Sequence, residues 1–426
     1  MLDGLWSFAR RHQRKFIIGA GVVGGLYYSG KLLAQRLVEM QGASAKDRSA
    51  KENIRRRFDQ NQRDCLFTIM SLLPELSEQV LHEVDVEQLI AELRAINKPR
   101  APEDESESPE APDAGEDVPR RTKVEIWEDI KIQSFARTLI AVYAESLLTI
   151  LVHIQLNMVG RSTYLDSVIG RYTGAAGEAG SVGQVALEGR YESRLPLADE
   201  QNFLMLSWWF LNRGWRQLMA QVLRATEHCV GQLSLKERLS HRELAALFND
   251  IHVRLREDGL VESLPGILLP LGDENIEDYL KSNRLTASQV FTPMFVRLLD
   301  QARDVIASTD FLFVFNSSVD RLTTQLLDGL QESFPEPVPP PAQCVPLPPT
   351  VEGEAAPDLD NVVREFEEFS TLPESRVVVV QLLPRIAREG HQILNGVPNQ
   401  YLENVSASRE VQALAAAVYT AEDATQ

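Results

Sequence analysis

KVEIWEDIKIQSFARTLIAVYAESLLTILVHIQLNM, residues 123–158, decides the fold. Its second half is apolar almost all round, the pattern of a helix surrounded by other helices rather than one lying on a surface. The stretch is long enough to tempt a transmembrane assignment. Arg137, Glu145, His153 and Gln155 interrupt it, however, and polar and ionisable groups at that density favour a bundle core. A central helix of this kind needs amphipathic partners on several sides.

They are found in both directions. Upstream, residues 31–71 are charged with helical spacing, and Pro74 is expected to end or kink that helix because it lacks an amide proton and clashes with the preceding turn. Residues 75–96 then carry Leu76, Val80, Leu81, Val84, Leu89, Ile90 and Leu93 at mostly helical spacing, closed by Asn97 and Pro99. Downstream, helices are predicted over 197–230, with Trp208, Trp209 and Trp215, and over 240–256, 287–307 and 310–334. Three further segments follow: an acidic stretch at 358–369, the apolar VVVVQLLPRIAREGHQIL with Pro384 inside it, and an Ala-rich helix at 409–420. No repeat period emerges. The fold class is all-α, a single elongated bundle of about six long helices. Residues 101–120, 160–190 and 335–357 read as disordered insertions, by acidic, Gly-rich and Pro-rich composition respectively.

Ahead of the bundle stands a basic segment, residues 1–15, with Arg10, Arg11, Arg14 and Lys15 clustered at its end. FIIGAGVVGGLYYSG follows, and with the residues up to 34 it reads as a transmembrane anchor of marginal length. A cleaved leader would want a better small-residue cleavage site, and a surface helix would want a polar face. Charge counting leaves the N-terminus on the cytosolic side.

The net charge of −18 argues against nucleic acid as a partner, although eight carboxylates between residues 102 and 117 account for much of the excess. Cys65, Cys229 and Cys344 are odd in number and far apart, so they suggest neither a disulfide framework nor a zinc site. No motif for catalysis, metal binding or a cofactor can be assembled, and His228 beside Cys229 points in a different direction on a helix. A membrane-tethered enzyme would need a convergent polar cluster, and none is legible.

The most suggestive local segment is 123–135, where Trp127 stands in the first turns of the core helix. Val124, Ile126 and Ile130 are its helical neighbours, and Leu93 with Ile96 closes the preceding helix. Two helix ends meeting there would make an apolar notch bordered by Arg94, Lys123 and Lys131, fit for an acidic amphipathic helix. The same spacing suits a tryptophan that is simply part of the core.

Several segments resemble one family in wording and order. GLYYSGK behind the basic cluster, FDQNQRDCLFTIMSLLP, the 123–158 stretch followed by TYLD, GQLSLKERLS, and a terminal helix containing AAAVY are similar to the peroxisomal biogenesis factor 3 family. NQRDC with EIWED is a specific combination; the Ala-, Leu- and Val-rich tail is not. The resemblance implies a cytosol-facing helical bundle, without enzymatic activity or cofactor, on a single-pass anchor in the lipid of the peroxisomal membrane. It implies docking of the import receptor peroxisomal biogenesis factor 19, whose N-terminal amphipathic helix enters an apolar groove at one end of the bundle. Residue by residue, it places the groove tryptophan on Trp127, with Lys123 and Ile130 beside it and Leu93 and Arg94 on the preceding helix end. It also puts the N-terminus inside the organelle, against the charge count, with Arg10, Arg11, Arg14 and Lys15 as targeting signal. The rival reading is a membrane-tethered scaffold for organelle inheritance or turnover factors, with autophagy adaptors among its partners.

Overall fold

The computed structural model describes residues 45–97, 121–174, 195–334 and 375–421. Within them the chain is almost wholly helical, as its periodicity predicts. The expected targeting segment 1–15 and anchor 16–34 lie outside the described residues, as do the insertions at 101–120 and 335–357 and the acidic stretch 358–369.

Helix α1, Ala45–Glu83, continues through Pro74 instead of ending there. Pro74 lies on the solvent face of α1, one turn after the exposed Met70, so the carbonyl it strips of a donor is within reach of water. The break falls at Val84 and Asp85. The Asp85 carboxylate accepts the Gln88 amide at 2.8 Å and so caps α2, Val86–Asn97, dividing the helix expected over 75–96. Helix α3, Lys123–Gly174, opens on a reciprocal cap in which Thr122 and Glu125 each accept the other's amide. It passes straight through Gly160, where a loop was expected to begin. A Cβ on Gly160 would lie 3.1 Å from both Asn61 Oδ1 and Tyr419 Cε2, so this glycine serves close packing.

Beyond α3 come α4 (Leu197–Leu204), α5 (Ser207–Trp209), a π-helical turn (Phe210–Gly214) and α6 (Trp215–Val230), in place of the single helix predicted there. Next are β1 (Arg238–Ser240), α7 (His241–Glu257), α8 (Leu260–Leu268), α9 (Asp273–Ser282), α10 (Ala287–Val290) and α11 (Pro293–Ile306). The chain continues with α12 (Thr309–Gln331), β2 (Arg376–Val378), α13 (Val379–Asn395), α14 (Gln400–Ser406) and α15 (Arg409–Thr420). The two short strands pair antiparallel, Leu239 opposite Val377, and tie the start of α7 to the start of α13. The helix predicted over 287–307 is split because Thr292 caps the Phe295 amide with Pro293 at the first helical position.

Helix α3 is the axis, and α1, α2, α6, α13 and α15 pack along it. Its Lys123–Thr163 portion is apolar and long enough to cross a bilayer, but 94% of the apolar window is buried inside the fold, which makes it a core helix. Asn61 and Gln62 of α1 both donate to Asn157 Oδ1, and Thr138 Oγ1 donates to the Ile386 carbonyl of α13 at 2.8 Å.

A buried polar stripe runs up this axis at four-residue spacing. Glu145, Thr149 and His153 are all buried with no hydrogen-bond partner for their side chains among the described residues. Burial lowers the His153 pKa from 6.5 to about 4, because the imidazolium cannot be solvated there. The same desolvation raises the Glu145 carboxyl well above its ordinary value. For His153 the unfolded chain takes up a proton as pH falls through 6.5, whereas the folded chain does so only near 4, so stability is lost across that window. The slope is about 1.4 kcal/mol per pH unit. His252, lowered to about 4 chiefly by burial, adds a slope of the same sign. Between pH 6.5 and 5, a His153→Leu variant is therefore expected to lose about 2 kcal/mol less than the parent, as read from urea unfolding at each pH. Identical slopes would mean that the folded state already carries the proton on His153.

Candidate functional site

Apolar side chains attach α2 to the bundle, Ile90 partly buried among them. Val86, Leu89 and Leu93 are buried in the same core as Ile126 and Ile130, and α2 packs chiefly against α3. Near the start of α2, Glu87 receives two hydrogen bonds from Arg137 of α3, at 2.5 and 3.0 Å. Helix α2 packs chiefly on α3 and not on α1, and that pair ties its first turn to α3. At about 1.5 Å rise per residue, Leu93 and Ile96 lie about 9 and 13 Å along α2 from Glu87.

The mouth so formed has a dry floor and an apolar lip. Leu93, Ile126 and Ile130 are buried. Trp127 is half-buried, with part of its indole packed on the core and part facing water. Val124, one turn earlier on the same face, is 68% exposed, and Ile96 is 48% exposed. Val124 and Ile96 thus leave apolar surface in water.

The charged border differs from expectation at one position. Arg94, Arg121 and Lys123 are exposed. Lys131 is not: it is fully buried, and its ammonium donates to the Leu233 carbonyl at 2.6 Å and the Gly231 carbonyl at 3.4 Å. Its third neighbour is the Glu128 carboxylate at 2.5 Å. The cause is the end of α6, whose terminal carbonyls need donors; a lysine reaching them through an apolar stem supplies one. The acidic groups nearby are likewise engaged, Asp129 with Arg121 at 3.0 Å and Glu125 with the Thr122 amide. The accessible border is thus Arg94, Lys123 and Arg121, with much of the local acidity held in internal pairs.

Sequence reasoning missed Arg137, reading it only as an interruption of an apolar stretch. It is 1% exposed, and its guanidinium is answered by Glu87, while its Nε finds no partner among the described residues. Desolvation alone would raise the Glu87 carboxyl, but the hydrogen bonds and charge of Arg137 outweigh it, and the net result is below the ordinary value. A charged residue inside an apolar run is the signal that would have called for a partner of opposite charge. Among the described residues no three metal-ligating side chains converge.

Comparison with known proteins covers this mouth and nearly all of the chain. A family model for Peroxin-3 matches residues 7–116 and 101–421. Peroxisomal biogenesis factor 3 of Rattus norvegicus is 27% identical over 429 residues, spanning 99% of this chain and 98% of the relative. Its counterpart in Yarrowia lipolytica is 29% identical over 454 residues, 98% and 99% of the two chains. Peroxisomal membrane protein PEX3 of Komagataella phaffii is 29% identical over 362 residues, 78% and 77% of the two. With a helical bundle built on α3 and a match running through α1, α2, α3 and on to α15, the chain belongs to the Peroxin-3 family.

Proposed function

We propose that this chain is a membrane-anchored peroxisome biogenesis factor that docks the import receptor peroxisomal biogenesis factor 19. The receptor's N-terminal amphipathic helix would lie in the α2/α3 mouth, and docking there would promote insertion of peroxisomal membrane proteins. Family membership supports the part in peroxisome biogenesis and membrane-protein import. One observation supports the place: Trp127, Val124 and Ile96 present apolar surface to water above the buried Leu93, Ile126 and Ile130. An amphipathic helix covers such a lip with its apolar face, while Arg94 and Lys123 steer its acidic side.

Val124 and Ile96 supply the test, because the fold does not need them buried. Val124→Asp and Ile96→Asp are each expected to leave thermal stability unchanged and to weaken binding of a synthetic receptor-helix peptide about ten-fold, measured by titration of the full chain in detergent micelles. Unchanged affinity in both variants would remove the mouth from consideration. The anchor is tested by fusing residues 1–45 to a fluorescent protein. Peroxisomal rim labelling is expected, and labelling of mitochondria or the secretory pathway alone would refute it.

The scaffold reading has its own support. Phe67 and Met70 of α1 are also exposed, away from the mouth, and offer a second apolar contact point for inheritance or turnover factors.

A further inference from the structure

We propose that the Arg137–Glu87 pair is a clamp that holds α2 in place as the movable wall of the docking mouth, making Glu87 and Arg137 positioning residues for a ligand that neither touches. The inference rests on the docking reading above.

Helix α2 has only 12 residues, too few to persist as a helix without tertiary support. The break at Val84 and Asp85 separates it from α1, and among the described elements only α3 makes extensive contact with it. Its position is therefore set by Val86, Leu89, Ile90 and Leu93 together with the Glu87–Arg137 ion pair. The apolar contacts are non-directional and tolerate sliding. The two hydrogen bonds from the planar guanidinium to both carboxylate oxygens do not, and they fix α2 in rotation and height.

The burial is asymmetric, and this gives the clamp its sense. Arg137 is sealed in the core, whereas the Glu87 side chain is 68% exposed. If α2 swings away, Glu87 is readily hydrated but Arg137 is left as an unpaired charge among apolar side chains. That penalty keeps α2 closed, and it does so from a point about 9 to 13 Å along the helix from Leu93 to Ile96, which border the mouth. A helix seated against Leu93 and Ile96 favours the same closed position, so occupancy of the mouth and closure of the pair reinforce one another.

The test uses the full chain in detergent micelles with Glu87→Gln, which removes the charge at constant size, and Glu87→Asp, which keeps it. Amide hydrogen exchange of α2 and α12 is followed, and the synthetic receptor-helix peptide is titrated. In Glu87→Gln, exchange in α2 is expected to quicken about ten-fold while α12 is unaffected, and peptide affinity to fall about ten-fold. Bound peptide should restore much of the protection, and Glu87→Asp should recover most of both effects. Unchanged α2 exchange overturns the clamp, as does an equal rise in α12, which would mark a global loss of stability. Faster α2 exchange with undiminished affinity also overturns it, since α2 would then not be a wall of the site. A wild-type chain that does not bind the peptide would instead sink the docking reading, a result distinct from the others.

Discussion

Replacing Gly214 with alanine is expected to lower the unfolding free energy by about 3 kcal/mol, while replacing Gly266 with alanine should raise it by about 0.5 kcal/mol. The two glycines sit on opposite sides of one seam. A Cβ on Gly214 would fall 1.8 Å from the Ile267 carbonyl oxygen and 2.8 Å from its carbon, and since both are backbone atoms, a side-chain rotation cannot relieve the clash. A Cβ on Gly266 meets nothing within 4 Å and adds only helix propensity. The strain at Gly214 would not stay local. Gly214 ends the π-helical turn, and the Trp209 indole donates to the Gly266 carbonyl at 3.0 Å across the same seam. Next in the chain, the buried Trp215 donates to Gln79 of α1 at 3.0 Å. Opening the seam therefore disturbs two tryptophan contacts at once. Urea unfolding of the two variants against the parent decides the matter, and equal midpoints for all three would show that the π turn does not press on α8 as described.

Gly214 also marks where sequence reading stops. The apolar periodicity of 123–158 identifies the central helix because burial on all sides leaves a one-dimensional trace. Helices α15 and α7 were also expected, although each is buried on one face only, and Ser240 and Glu243 form a reciprocal cap at the start of α7. The breaks were less legible. Asp85 and Thr292 are capping residues placed inside runs whose periodicity carries on past them, and the apolar pattern outweighs the local cap when read alone. Gly160 and Gly214 resemble interruptions, but their meaning depends on atoms of Asn61, Tyr419 and Ile267 that only the fold brings near. Lys131 fails as a border residue for the same reason: its carbonyl partners are about 100 residues away in sequence and meet it at the end of α6. At the mouth, the i to i+3 spacing of Val124 and Trp127 was legible, whereas the clamp beneath it, joining Glu87 to Arg137, was not.

Trp127→Ala is expected to weaken binding of the receptor helix by about 3 kcal/mol, roughly a hundred-fold, the largest effect of any single substitution at the mouth. The indole is already half desolvated by its contact with the core, so covering the rest orders few new degrees of freedom and adds a large rigid apolar area. Truncation would open the floor of Leu93, Ile126 and Ile130 to water. Arg94 and Lys123 act differently. They are exposed charges at the lip, so their reversal should slow association and flatten its salt dependence without approaching the loss at Trp127. Because part of the indole packs on the core, Trp127→Ala will also cost some fold stability, and Trp127→Phe separates the two effects by keeping an aromatic ring on the floor. The phenylalanine variant should recover most of the lost affinity. If instead Trp127→Ala remains folded and binds the peptide within two-fold of the parent, the receptor helix docks elsewhere, and the exposed Phe67 and Met70 of α1 become the next surface to test.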